Sequence, residues 1–237
     1  MMVASAMKQL KIRYDAHVDR LLSATCPEDG EEDDVSSPVV VCESISKDAF
    51  RKWEDKHEGD LGRWEYVPLD AHFGRIEIDS LTTAVHAEAG GCLYSMILEQ
   101  VLNIGGVRMV HTLKDRPSQT HDVGDRPQRA DRTMSGRLSA NTFPNVVIEI
   151  CYLNGSWDAL VAKLHRWLGP QTTVQVAIGV QVCTVRRRII VLRRGDPPME
   201  QVVDFDVESH AMIPPATFPS FPLHLIYHNG PLPAPLV

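Results

Sequence analysis

Residues 144–182 decide the fold, and they read PNVVIEICYLNGSWDALVAKLHRWLGPQTTVQVAIGVQV. The run NVVIEI is almost continuously apolar, which is typical of a strand covered on both faces of a sheet. An Asn-Gly turn follows, Ser156 is a suitable cap for a helix through Leu168, and a Gly-Pro pair ends that helix. The run VQVAIGVQV predicts a second buried strand. Strand, helix and strand in this order form a βαβ unit, which is almost always right-handed.

The patterns on either side of this unit extend it into an α/β domain. Ser46 is a suitable N-cap for a helix with the sequence KDAFRKWEDKH, and Gly105-Gly106 is expected to end a second, longer helix. The polar stretch between His111 and Asp131 is predicted to be a loop. Strands are predicted at 63–67, 75–79, 107–113, 130–134, 145–150 and 174–182, with RRIIVLR and QVVDF extending the sheet, and helices at 83–103 and 157–168. The expected fold class is α/β, with a mixed central sheet flanked by helices.

Composition divides the chain into three parts. Residues 1–38 are predicted to be an N-terminal segment with an acidic linker, 39–210 the α/β domain, and 211–237 a proline-rich tail without regular structure. Six carboxylates lie within residues 27–37, and without them the formal net charge of −7 would be −1. This stretch is expected to be exposed and to make few tertiary contacts. The tail is expected to be a spacer or a packed arm, and either segment could recruit a protein partner.

Several classes of protein are disfavoured by composition. No apolar run approaches the roughly 20 residues needed to cross a membrane, and the N-terminus lacks the apolar core of a secretory signal. The five cysteines are widely spread and contain no CxxC pair, which argues against a zinc ribbon and suits a reducing interior. We expect an intracellular protein, cytoplasmic or nuclear, that does not enter a membrane. The sequence does not fix its oligomeric state.

Two basic stretches are candidate surfaces for nucleic acid. Between Arg108 and Arg137, seven Lys and Arg residues stand against four Asp, a balance of +3, and five arginines lie within residues 186–194. Such patches suit phosphate groups, although a solvated face is the commoner use of surface charge.

Glu149 interrupts the first buried strand of the βαβ unit. On an alternating backbone it shares a face with Val147 and Cys151, and a carboxylate buried there is costly unless it is paired or holds a metal ion. A neighbouring arginine or water could also satisfy it. Lys163 lies beside the apolar stripe of the following helix, so it either extends to solvent or meets a negative group such as Glu149.

Asp131 is predicted to lie in the short strand ADRTM, just before the strand of Glu149. Two carboxylates on adjacent strands make a hard, oxygen-rich site that suits Mg²⁺, which keeps several waters and accepts phosphate oxygens. Such an ion lowers the pKa of an attacking water, and a lysine beside it orients that water or stabilises the developing negative charge. Taken alone, Asp131 could equally be an exposed or turn-associated residue.

The ordered series of features resembles the PD-(D/E)XK nuclease superfamily, in particular the restriction-endonuclease-like domains of divergent eukaryotic members. The series covers Ser46 to Val182 and consists of SKDAFRKW, RWEYV, RIEID, HAEAG opening a long helix, RADRTM, PNVVIEI, a helix carrying a lysine, and VQVAIGVQV. The resemblance implies a restriction-endonuclease-like mixed central sheet flanked by helices. It also implies Mg²⁺- or Mn²⁺-dependent hydrolysis of DNA or RNA phosphodiester bonds.

The resemblance further implies roles for particular residues. Asp131 takes the first acidic place, Glu149 the second, and Lys163 the place of the lysine, which makes these three the implied catalytic residues. Glu88 matches a helical glutamate that some members add to the metal site, so the implied metal ligands are Asp131, Glu149 and Glu88.

The chain departs from the family pattern at three positions. Ala130 stands where the family often has proline, Asn145 replaces an acid often found after proline, and Cys151 occupies the lysine position of the strand. In the subgroup resembled here a lysine on the following helix takes that role, and Lys163 fits it. Three hypotheses therefore stand. The chain is an active nuclease, a catalytically inactive relative that binds nucleic acid or protein through the same scaffold, or an interaction protein that recruits partners through the acidic run and the proline-rich tail.

Overall fold

The computed structural model describes Ile12 and, after it, residues 39–57, 62–81, 84–116, 120–137, 139, 141–152, 157–182, 187–195, 199–204 and 221–230. The predicted acidic linker at 27–37 lies outside these residues, as does most of the proline-rich tail. In chain order the elements are β1 Val39–Ser46, α1 Lys47–His57, β2 Gly62–Pro68, β3 Phe73–Leu81, α2 Ala84–His111, β4 Leu113–Arg116, β5 Thr120–Val123, β6 Arg126–Arg129, β7 Arg132–Gly136, β8 Val146–Tyr152, α3 Trp157–Trp167, β9 Val176–Val182, β10 Arg187–Arg193, β11 Met199–Asp204 and a 3₁₀ turn Leu223–Leu225.

The central sheet has six strands in the order β11-β10-β9-β8-β7-β4. Strands β8 and β9 are parallel and joined through α3, and every other neighbouring pair is antiparallel. The predicted βαβ unit, its two extending strands and the mixed character of the sheet are thus confirmed. The fold class is α/β, with a mixed central sheet flanked by helices.

Alternate residues of the central strands face two different helices. Ile148 and Ile178 pack against Leu93 and Ile97 of α2 on one face. On the other face Val147, Cys151 and Ala177 pack against α3, whose buried side chains are Leu160, Leu164 and Trp167. This alternation places Glu149 beneath α3. Neither of these helices, nor any other in the described ranges, combines the length and apolar character needed to cross a membrane.

A second, three-stranded sheet has the order β1-β3-β2. Its core of Val41, Phe50, Tyr66 and Ile76 is closed by α1, and Ser46 caps this helix as predicted, since its Oγ accepts from Ala49 N at 3.3 Å. The strands predicted at 63–67 and 75–79 belong to this sheet, so their assignment to the central sheet is wrong. The reason is that a strand's own pattern shows which of its faces is buried and not which sheet it joins.

Two expectations around the basic stretch are also wrong. Residues 107–111, predicted as a strand, continue α2 beyond a kink at Gly106, whose φ is 71°. Helical spacing buries Met109 there, and a short apolar run does not distinguish helix from strand. The stretch predicted as a loop contains β4 at the edge of the central sheet and the hairpin β5–β6.

The described part of the tail packs onto the domain. Ile226 and Tyr227 are buried in the core between α2 and the sheet, Gly136 N donates to Ile226 O at 3.1 Å, and Tyr227 Oη donates to Met109 O at 2.9 Å. The predicted end of the domain at residue 210 is therefore too early, and the 3₁₀ turn contradicts the expected absence of regular structure. The alternative of a packed arm is confirmed for residues 221–230.

Asn145 fixes this arm to the sheet. Its fully buried Nδ2 donates to Ile226 O at 2.8 Å and to His228 O at 3.1 Å, and its Oδ1 accepts from Asn141 Nδ2 at 2.8 Å. The donors of the Asn145 side chain thus hold two backbone carbonyls of the arm. An acid could not supply those donors.

We expect Asn145→Asp to lower the free energy of unfolding by about 2–4 kcal/mol, because it removes two buried donors and places a carboxylate against two carbonyl oxygens. Urea unfolding measures this change. Asn103→Asp, at an exposed position of α2, is the matched control and should have little effect. Equal stability of Asn145→Asp and the wild type would contradict this role for Asn145.

Candidate functional site

Glu149 and Lys163 form a buried ion pair between β8 and α3. Lys163 Nζ lies 3.0 Å from Glu149 Oε2, and the exposed fractions of the two side chains are 12% and 0%. Trp167 Nε1 donates to the other carboxylate oxygen, Oε1, at 2.7 Å. Lys163 and Trp167 are one helical turn apart, so both reach the same carboxylate. The predicted pairing is present, and the alternative in which Lys163 extends to solvent is wrong.

Asp131 directly precedes the first residue of β7. It therefore lies outside the strand in which the sequence had predicted it. Its backbone N donates to Ile148 O at 3.1 Å, and its Oδ2 accepts from Ile150 N at 2.6 Å. The carboxylate thus replaces a backbone carbonyl in the β7–β8 ladder. Asp131 is held against the two residues that flank Glu149, so the structure brings Asp131, Glu149 and Lys163 to one region.

Glu88 is exposed near the beginning of α2. Gly90, two residues later, faces Arg132, and Arg132 lies over the Tyr94 ring on the α2 face of the sheet. Glu149 faces α3 on the opposite side, so the structure does not place Glu88 beside Glu149. Ligation of a metal by Glu88 stays a prediction. No group of three or more His, Cys, Asp and Glu side chains suited to a metal ion occurs among the described residues.

The β5–β6 hairpin covers the end of α3 that carries Trp167. The His121 ring lies 6.0 Å from the Trp167 ring in an edge-on arrangement and 5.2 Å from the Phe143 ring. Val123 and Ala130 join the buried cluster beneath the helix. Thr120 Oγ1 donates to Glu54 Oε1 at 2.6 Å, which fastens the hairpin to α1. The hairpin therefore closes the side of the site that faces the smaller sheet.

A polar network next to the ion pair was missed by sequence reasoning. Arg166 donates from Nε to Gln128 Oε1 at 2.9 Å and from Nη2 to Glu65 Oε1 at 3.2 Å. Gln128 is itself buried and donates to Lys163 O at 3.3 Å, while Arg126 Nη1 lies 3.5 Å from Glu65 Oε1. The sequence does contain one indication of this network. Arg166 follows Lys163 by three residues, which places both side chains on the same face of the helix.

Burial has an electrostatic consequence for Arg166. Loss of solvent lowers the pKa of its guanidinium, and the positive charge of Arg126 lowers that pKa further. The carboxylates of Glu65, Glu149 and Asp125 act in the opposite direction. The network therefore contains two guanidinium groups whose mutual repulsion is opposed by nearby carboxylates.

The donors at the site fit a magnesium or manganese ion in chemical type. Both ions favour carboxylate oxygens, and Mg²⁺ is commonly held by one or two carboxylates together with water and substrate phosphate. Asp131 is partly exposed, whereas Glu149 is fully buried. Of the two carboxylates, that of Asp131 has access to solvent and that of Glu149 is buried.

Comparison with known proteins gives one distant likeness. No family model and no curated protein matches the sequence. The chain is similar to the crystal structure of a "putative nuclease belonging to DUF820" from Anabaena variabilis, with 15% sequence identity and a TM-score of 0.44. The match covers 73% of this chain and 90% of the other.

Proposed function

We propose that this chain is a metal-dependent nuclease that hydrolyses phosphodiester bonds of DNA or RNA at Asp131, Glu149 and Lys163. The observation that supports the proposal is the 3.0 Å contact between Lys163 Nζ and Glu149 Oε2. The resemblance to PD-(D/E)XK nucleases requires a lysine beside the second acid, and Cys151 cannot supply it from the strand. A lysine on the covering helix does.

Each residue has a separate role in this proposal. Asp131 and Glu149 would hold Mg²⁺ or Mn²⁺, which supplies an acidified water and neutralises charge on the phosphate. Lys163 has three N–H donors and is directed by Glu149, so it can orient the attacking water or donate to the charge developing on the phosphate oxygens. Trp167 is a positioning residue, because its Nε1–H fixes one oxygen of Glu149.

Metal binding is expected to depend on Asp131. Millimolar Mg²⁺ or Mn²⁺ should raise the melting temperature of the wild type relative to EDTA, since a ligand at 100 times its Kd stabilises the folded state by about 2.7 kcal/mol. In Asp131→Asn the amide oxygen can still accept from Ile150 N, so the fold should persist while the metal-induced rise is lost. Differential scanning fluorimetry measures both the melting temperature of each protein and its rise with metal. A rise of equal size in the variant would contradict this role for Asp131.

The complete burial of Glu149 favours a second candidate function. A carboxylate with 0% exposure that contacts both Lys163 and Trp167 also suits a purely structural ion pair. The chain would then be a catalytically inactive relative that binds nucleic acid or protein through the same scaffold. Binding of oligonucleotides without cleavage in Mg²⁺ or Mn²⁺ would select this candidate over the first.

A further inference from the structure

Two arginines from different elements converge on one oxygen of Glu65. Arg126 comes from the β6 strand of the hairpin and Arg166 from the last turn of α3, and their Nη atoms lie 3.5 Å and 3.2 Å from Glu65 Oε1. Glu65 belongs to β2 of the smaller sheet and is partly buried, with 22% of its side chain exposed. The two guanidinium groups therefore share the carboxylate of Glu65 at the junction of the two sheets. Arg126 Nε also lies 3.8 Å from Oδ1 of the exposed Asp125.

The arginine pair is fixed next to the Glu149–Lys163 ion pair. Gln128 accepts from Arg166 Nε at 2.9 Å and donates to the backbone carbonyl of Lys163 at 3.3 Å. Arg166 also follows Lys163 by three residues, so the two cations lie on neighbouring positions of one helix face. A group bound by the arginines would lie beside the proposed catalytic lysine.

The chemistry of the pair matches a phosphate diester. Such a group carries one negative charge and two non-bridging oxygens, and guanidinium groups bind oxygens of this kind through charge-assisted hydrogen bonds. The carboxylate of Glu65 has the same charge and also presents two oxygens. Phosphate contacts of this type position a nucleic acid without reading its sequence.

We propose that Arg126 and Arg166 form a subsite for a backbone phosphate of the nucleic acid, and that Glu65 occupies this subsite until a phosphate replaces its carboxylate. The inference rests on the proposed function for the identity of the ligand. It adds a regulatory consequence: because Glu65 is part of the smaller sheet, binding of nucleic acid weakens one link between the two sheets.

The test compares two variants that each remove one carboxylate charge. Glu65→Gln removes the proposed competitor of phosphate. Glu43→Gln is the control for net charge, because Glu43 is exposed on β1 and lies outside both basic stretches. Fluorescence anisotropy with labelled single- and double-stranded DNA and RNA oligonucleotides in EDTA reports binding without metal-dependent cleavage.

Glu65→Gln is expected to tighten binding about threefold to tenfold, and Glu43→Gln by less than about twofold. Arg166→Gln or Arg126→Gln should weaken binding and reduce the slope of log K against log salt by about one. Lys52→Gln, at an exposed position of α1 outside both basic stretches, should leave the slope unchanged. Melting temperatures show whether each variant is folded. The two arginine variants test the same subsite independently. If one of them does not fold, the other still shows whether the subsite binds phosphate.

Two results would overturn the subsite. Equal tightening by Glu65→Gln and Glu43→Gln would show that only net charge matters. Failure of both the wild type and Glu65→Gln to bind any oligonucleotide would show that nucleic acid is not the ligand. Failure of the proposed hydrolysis is distinguishable, because these measurements are made without metal. A selective effect of Glu65→Gln in a protein that never cleaves would support the subsite and refute the nuclease.

Discussion

Lys163→Met is expected to lower the free energy of unfolding by about 3–5 kcal/mol, the usual effect of removing one partner from a buried ion pair. Methionine has nearly the length of lysine, so packing under α3 changes little. The carboxylate of Glu149, with 0% exposure, would lose the cation at 3.0 Å and would remain buried. Denaturant unfolding of the wild type and the variant measures the loss.

The double variant Glu149→Gln/Lys163→Met is the control for this prediction. It removes both charges and keeps an acceptor for Trp167 Nε1, so we expect most of the lost stability to return. If the double variant is as unstable as Lys163→Met, the loss comes from packing and not from an unpaired charge.

Glu149→Gln is expected to lower the rate of metal-dependent cleavage by roughly 100-fold or more while the domain stays folded. Glutamine preserves the length of the side chain and the hydrogen bond from Trp167, but it removes the charge that directs Lys163 and that would hold the metal. Glutamine is a better test than alanine, because alanine would also leave a cavity beneath α3. Single-turnover kinetics in Mg²⁺, with melting temperature as the control, measure the effect.

A rate for Glu149→Gln within about threefold of the wild type would place catalysis elsewhere, since loss of a metal ligand costs far more than this. Glu43→Gln is a suitable comparison, because Glu43 is exposed on β1 of the smaller sheet. It changes the net charge equally and should leave the rate unaltered.

The βαβ unit and the Glu149–Lys163 pair could be predicted from the sequence because both follow from local periodicity. The alternation of an apolar strand fixes which face Glu149 occupies, and the stripe of an amphipathic helix fixes where Lys163 lies. The turn residues between them make the helix pack on that same face. The contact then follows from elements that are neighbours in the chain.

The parts that could not be predicted depend on distant or weakly patterned residues. The hairpin β5–β6 is polar along its length, yet Gln128 is buried because it meets α3 nearly 40 residues later. The role of Asn145 depends on backbone carbonyls more than 80 residues away. Glu65 could not be connected with Arg166 because nothing in β2 indicates which sheet it joins or what lies beside it.

The central claim is that Asp131, Glu149 and Lys163 form one metal-dependent hydrolytic site, and cleavage of phosphodiester bonds tests it most directly. The measurement is the initial rate of cleavage of labelled single- and double-stranded DNA and RNA against the concentration of Mg²⁺ or Mn²⁺, for wild type and Asp131→Asn purified in parallel. We expect saturable, metal-dependent cleavage by the wild type, none in EDTA, and a loss of roughly 100-fold or more in Asp131→Asn. Equal rates in the two proteins, or no cleavage of any substrate by the wild type, would contradict the claim.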